Sequence, residues 1–240
     1  MFETVQRHSL SESVYQQLAG RILRQELEPG EALPSERQLA EALGVNRGAV
    51  REAVKRLQQA RLVAVRHGGN HTVQDYREHG GLEVLDQLLV DENGRVNTAV
   101  GLHIMAMRSA LAPAVAAAAA RHGTAELVGE LRACTLAMRA ADGELGELQE
   151  QALAFWSALI RGSGNLAFRL AFNSMNRSYR AVWALLRQVL APELRRIDEL
   201  QAIADAVEAK DPARAEQAAR TYVAIGERAM AEALGGDAPR

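Results

Sequence analysis

Apolar residues recur at helical spacing over most of this chain. In residues 11–27 the stripe Val14, Leu18 and Ile22 falls at i, i+4 and i+8, with Ser11 placed to cap the helix and Pro29-Gly30 to end it. A second helix is predicted to open at Ser35, which makes a capping box with Gln38 in front of Leu39, Ala40 and Leu43. Gly44 suits the left-handed turn that closes it. Asn46 is placed to cap a third helix, on whose inner face Val50, Ala53, Val54 and Leu57 recur. The period then changes: Leu62-Val63-Ala64-Val65 and Thr72-Val73 flank Arg66-His67-Gly68-Gly69-Asn70, the pattern of a β-hairpin with glycines at its tip. From about residue 81 onward the spacing is helical again, without the alternation that strands need.

These elements predict a mainly α protein in two parts. The first, residues 1–75, is a winged helix-turn-helix of three helices plus a β-hairpin. Residues 76–81, ending in Gly80-Gly81, break both periodicities and read as a linker. Residues 82–240 form an antiparallel all-α helical bundle. A chain of 240 residues with 48% hydrophobic content is long and apolar enough to bury two cores.

A formal net charge of -2 excludes a uniformly basic nucleic-acid coat but permits a local basic patch. Residues 46–68 hold six basic residues against one acidic, Glu52. Arg47, Arg51 and Lys55, four apart, lie on a stripe beside the apolar face of the third helix. Arginine suits a major groove because its planar fork donates two hydrogen bonds to guanine or grips a phosphate. Gly48 beside them allows close approach, and a tip carrying His67 and Gly68 suits a minor groove or a phosphate strand. Each feature alone also fits a solvated face, or a helix-turn-helix inside an enzyme. Their succession within about 40 residues points to double-stranded DNA.

One cysteine, Cys134, excludes an intramolecular disulfide and a thiolate metal site, and the first residues lack the apolar core of a signal peptide; a cytoplasmic protein is expected. The longest apolar run, residues 110–120, is well short of the roughly 20 residues that cross a bilayer, so no membrane association is expected. No nucleophile elbow, P-loop or Cys/His dyad occurs. No catalytic residue, cofactor or enzymatic activity is therefore expected.

Leu33-Pro34-Ser35-Glu36-Arg37-Gln38-Leu39-Ala40, then Gly44-Val45-Asn46-Arg47 and Val50-Arg51-Glu52-Ala53, closely resemble the GntR superfamily of transcriptional regulators. The resemblance implies that Arg37, Arg47 and Arg51 contact DNA, with His67 and Gly68 at the wing tip; Asn46 and Gly48 complete the expected DNA-facing set. The second half resembles the FadR-type branch, at Arg108, Phe155-Trp156, Ser163-Gly164-Asn165 and residues 202–218 around Asp211-Pro212. That implies a bundle that binds an effector and holds a homodimer. Most members of the branch bind a metal through an Asp and three His, whereas the matching positions here hold Ala152, Trp156, Leu200 and Tyr222. The six histidines lie at 8, 67, 71, 79, 103 and 122. No metal is expected. Fatty-acid-responsive members share His67-Gly68, Gly81-Leu82 through Leu85, and Gly164-Asn165 followed by Asn173, Met175 and Tyr179, which implies a long-chain acyl-CoA effector.

Arg108 sits among Met105, Met107 and Leu111, so burial there would require an anion, either an internal carboxylate or the carboxylate or phosphate of a ligand. Trp156, Tyr179 and Trp183 either line an effector cavity or fill a core. The whole reads as a homodimer on a near-palindromic operator, with affinity set by a small-molecule effector. An unrelated organic-acid effector, a purely structural dimerisation domain and a DNA-tethered enzyme are the alternatives. A cavity of several hundred cubic ångström would favour sensing, and a solid core the structural reading.

Overall fold

The structure, a computed structural model, describes residues 10–65, 71–90 and 94–233, apart from the side chains of residues 177–181, 183 and 185. It divides into two compact units, Met1–Arg95 and Val96–Arg240, each with its own hydrophobic core. Thirteen α-helices and one two-stranded sheet lie among the described residues.

In the first unit α1 (Leu10–Leu23) buries Val14, Leu18 and Ile22, as its stripe predicts. Ser11 lies inside this helix rather than capping it, and the helix stops before Pro29-Gly30. Gln25 takes a left-handed φ of 59°, and the Gln25 and Glu26 amides bond back to the Ile22 and Arg21 carbonyls at 3.0 and 2.9 Å. Next, α2 (Glu36–Leu43) carries the full capping box between Ser35 and Gln38 and ends on Gly44 at φ 64°. Asn46 Oδ1 accepts from the Ala49 amide at 2.9 Å and starts α3 (Arg47–Gln59), which buries Val50, Ala53, Val54 and Leu57. Strands β1 (Val63–Val65) and β2 (His71–Val73) pair antiparallel, Val63 opposite Val73 and Val65 opposite His71. The hairpin tip, with His67 and Gly68, lies outside the described residues.

The expected linker does not separate the units. Asp75 caps the short α4 (Tyr76–His79), its carboxylate accepting from the Arg77 amide at 2.9 Å. A 3-10 turn (Leu82–Val84) and α5 (Leu85–Leu89) follow. Val84 is buried in the first unit's core, with Tyr76 and Leu88 packed against it. Residues 76–81 therefore belong to that unit. Gly80 owes its place to packing: a Cβ there would lie 2.7 Å from the Tyr76 carbonyl oxygen.

The second unit is helical throughout its described length: α6 (Thr98–His122), α7 (Ala125–Ala140), α8 (Leu145–Gly162), α9 (Leu166–Ala181), α10 (Trp183–Val189), α11 (Ala191–Leu194), α12 (Ile197–Glu208) and α13 (Pro212–Ala233). α6 packs along α13, with α8 and α12 on its other sides. The alanine run explains the closeness of that pair. Ala112, Ala116, Ala119 and Ala120 of α6 are buried, as are Ala215 and Ala219 of α13, and small side chains let backbones approach. By length and composition α6 would also pass as a membrane span, which is weak grounds, since its alanine face belongs to this core. Asn165 caps α9, its Oδ1 accepting from Ala167 and Phe168 amides at 2.9 and 3.2 Å, directly after Gly164 at φ 66°.

Candidate DNA-binding face and effector cavity

Capping fixes where α3 begins, and the start of α3 fixes the basic face. With Val50, Ala53, Val54 and Leu57 turned inward, Arg47, Gly48, Arg51 and Lys55 are left exposed. Lys55 is held by Glu52 at 2.8 Å, and that hydrogen bond draws the Glu52 carboxyl below its usual range. Arg47 and Arg51 make no hydrogen bond or ion pair with another described residue and remain available as donors. Arg37, exposed at the start of α2, is only lightly engaged: its pair with Glu41 at 3.2 Å is open to solvent, and such pairs contribute about 0–1 kcal/mol. Asn46 is exposed with its Oδ1 committed to the cap, and a Cβ on Gly48 would stand 3.1 Å from that oxygen. The structure thus gathers Arg37, Asn46, Arg47, Gly48 and Arg51 on one helix-turn-helix.

On the inner side, Arg56 braces α3 against α1. Its guanidinium bonds Glu12 at 2.5 Å and lies 4.1 Å from the centre of the Tyr15 ring. Burial raises the Tyr15 pKa, and its hydroxyl accepts from Gln87 at 3.0 Å.

The second unit holds an open-mouthed cavity of about 120 Å³, short of the several hundred that would by volume alone favour sensing. Leu111 and Val115 of α6, Leu153 and Trp156 of α8, Phe168 and Phe172 of α9, and Leu190 and Leu194 at the two ends of α11 give it an apolar wall. Its one lining cation among the described residues is Arg108, answered by Glu193 in a two-bond fork of 2.8 and 2.5 Å. The anion that the sequence requires near Arg108 is therefore an internal carboxylate. The Glu193 side chain is only 3% exposed, and Gly226 of α13 makes room for it, since a Cβ there would stand 2.0 Å from Glu193 Oε2.

Trp156 lines this cavity, as does Tyr222; their ring centres are 6.1 Å apart. The buried Trp156 Nε1 and Asn176 Oδ1 have no hydrogen-bond partner, and the buried Tyr222 hydroxyl has only a poorly aligned one in Glu193. Burial, and after it the nearby Glu193 charge, raise the Tyr222 phenol well above its usual value, so it stays neutral. Of the positions matched to metal ligands, Ala152, Trp156 and Tyr222 reach the cavity and Leu200 is core. The side chains of Tyr179 and Trp183 lie outside the described residues. Sequence reasoning missed Glu193. Its signal was a lone acid among Leu190, Ala191 and Leu194, the charge complement of the lone arginine at 108.

A capped helix-turn-helix with an exposed basic face, followed by an all-helical unit built around an apolar cavity, defines a DNA-binding transcriptional regulator with an effector-binding domain. The chain belongs to the GntR family. Residues 10–73 match the model "Bacterial regulatory proteins, gntR family", and residues 103–224 match the FCD domain. The HTH-type transcriptional regulator Mce2R of Mycobacterium tuberculosis is 37% identical over 240 residues, 99% of this chain and 98% of that one. A shorter match, 33% identical over 85 residues, covers 35% of this chain and 30% of the fatty acid metabolism regulator protein of Vibrio cholerae. Among solved structures, Lar of Listeria monocytogenes shares the fold with a TM-score of 0.59 and 17% identity, over 97% of this chain and 99% of that one. These relatives are regulators, and the chain is not an enzyme.

Proposed function

We propose that this chain is a cytoplasmic homodimer whose operator affinity is set by a molecule that places a long apolar chain in the cavity of the second unit, a long-chain acyl-CoA being the candidate. The observation that carries the reading is the cavity itself. Its apolar wall with a few buried polar groups converging on it is the make-up of a ligand site, whereas a unit serving only to dimerise would pack solid there. A short organic acid fits less well, because the lining guanidinium already holds a carboxylate. The match to the Vibrio fatty acid regulator agrees but spans too little of either chain to carry the effector.

On the DNA side, Arg47 and Arg51 reach bases or phosphates from α3 and Arg37 from the start of α2, with Asn46 and Gly48 close to the backbone and His67 and Gly68 at the wing tip. A two-fold dimer presents this face twice, which suits a near-palindromic operator. Leu136 of α7 and Leu166 and Leu170 of α9, all strongly exposed, offer apolar surface to a second copy. The effector then acts by favouring one arrangement of the dimer over another.

The test is operator binding by the purified chain, titrated with a long-chain acyl-CoA and separately with short organic acids. Release or tightening by acyl-CoA alone is expected. A response to the acids alone, or to neither, overturns the effector reading, and a monomer on DNA overturns the dimer.

A further inference from the structure

The charge balance inside the cavity narrows what it holds. Arg108 would be the natural seat of an anionic head group, yet its guanidinium already meets both oxygens of Glu193. An incoming carboxylate would stand beside a buried carboxylate and share its one counterion, an arrangement that like charges in a poorly solvated site oppose. Glu193 cannot easily swing away. It is 3% exposed and sits in the gap left by Gly226, where even a methyl group would come within 2.0 Å of its Oε2.

What the cavity does leave open is uncharged. Trp156 Nε1 is an indole donor and Asn176 Oδ1 an acceptor, both buried on lining residues and without partners, and beside them the Tyr222 hydroxyl lies close enough to Glu193 to donate to it while its own oxygen can accept. A neutral oxygen satisfies such groups without adding charge: a carbonyl accepts from Trp156, and a hydroxyl also donates to Asn176 or to the Tyr222 oxygen. The Tyr222 phenol stays protonated beside Glu193 and so adds no charge of its own.

We infer that Glu193 makes this cavity a site for uncharged lipids, an alkyl or acyl chain bearing a hydroxyl, ester or thioester, and bars free carboxylates from it. The inference rests on reading the cavity as the effector site and adds the chemical rule by which it selects. An acyl thioester obeys that rule when its charged part remains outside the cavity.

The experiment is calorimetric titration of the full chain near neutral pH with three probes of one chain length: decan-1-ol, methyl decanoate and decanoate. The alcohol and the ester are expected to bind at least about tenfold more tightly than the carboxylate. In Glu193→Gln, where the guanidinium no longer faces a carboxylate at that position, the preference should vanish or reverse. Equal or tighter binding of decanoate by the unsubstituted chain overturns the inference, as does binding of none of the three, or an unchanged preference in a folded Glu193→Gln. If the variant does not fold, judged by circular dichroism, the three-probe comparison on the unsubstituted chain decides. Failure here is separable from failure of the regulatory reading: operator release by acyl-CoA, with decanol and decanoate bound equally, removes the charge rule and leaves regulation standing.

Discussion

Arg108 and Glu193, 85 positions apart in sequence, face each other through two N–H···O bonds of 2.8 and 2.5 Å, the carboxylate almost wholly buried and the guanidinium 16% exposed. Removing one partner of such a pair strands the other's charge in a poorly solvated place. Arg108→Ala should therefore cost the second unit about 3 kcal/mol, less than a fully buried pair would, because the guanidinium retains some water. Urea unfolding followed by helical circular dichroism measures it, and a loss near zero would show that Glu193 finds another partner or a proton.

Gly226 provides a complementary test from the opposite helix. Alanine normally favours a helix over glycine by about 1 kcal/mol, so Gly226→Ala would stabilise α13 if the site were open. Instead the new methyl would meet Glu193 Oε2 at 2.0 Å and Arg108 Nη1 at 3.1 Å. A net loss of about 1–3 kcal/mol is expected, read as a lower melting temperature. A raised one would mean the ion pair moves aside cheaply.

On the DNA face, Arg47→Ala and Arg51→Ala should each weaken operator binding without lowering stability, since both side chains are exposed and make no hydrogen bond or ion pair with a described residue. An arginine on a phosphate should lower the slope of log affinity against log salt by about 0.9, and one on a guanine should cost about 1–3 kcal/mol on the specific site alone. Fluorescence anisotropy at several salt concentrations separates the two. Unchanged affinity and slope in both variants would remove α3 from the groove.

Gly44 ends α2 at φ 64° with nothing within 4 Å of where a Cβ would stand, so strain there is free of any clash. Gly44→Ala should cost about 1 kcal/mol of stability, through left-handed backbone alone. Asparagine at the same position tolerates that conformation better and should recover part of the loss. An alanine variant as stable as the parent would mean the turn can relax.

These local signals are why the DNA-binding half was readable in advance. A capping box, a left-handed glycine and an Asn cap are each decided within four residues, and Ser35, Gly44 and Asn46 all do what their chemistry requires. Where sequence reading failed, the decision lay elsewhere in the fold. Nothing about Gln25 announces a helix stop; it takes its left-handed turn where the chain leaves α1. Gly80-Gly81 resembled a hinge, but Tyr76 and Val84 on either side pack on the first unit's core, and that packing decides the boundary. The cavity was the least legible feature. Its chemistry depends on Arg108, Glu193 and Gly226 meeting from three helices, and no periodicity records such a meeting.

The cavity also allows sensing to be separated from DNA binding. Leu153 lines it from α8 and is only partly buried, so a larger side chain there would fill the cavity from its accessible side rather than force the core apart. Leu153→Trp should lower the operator's response to effector by about tenfold or more, since space once open to a ligand is occupied. Operator affinity without effector should stay within about twofold, because the cavity and the DNA-binding face belong to separate units with separate cores, and sites that share no partners act nearly independently. The measurement is an effector dose-response on operator-bound protein, beside a direct binding curve. If the dose-response is unchanged, the effector lies outside this cavity. If operator affinity falls together with the response, the substitution has disturbed the second unit as a whole, and a smaller filler at another lining position, Ala152→Val, should then reproduce the loss of response alone.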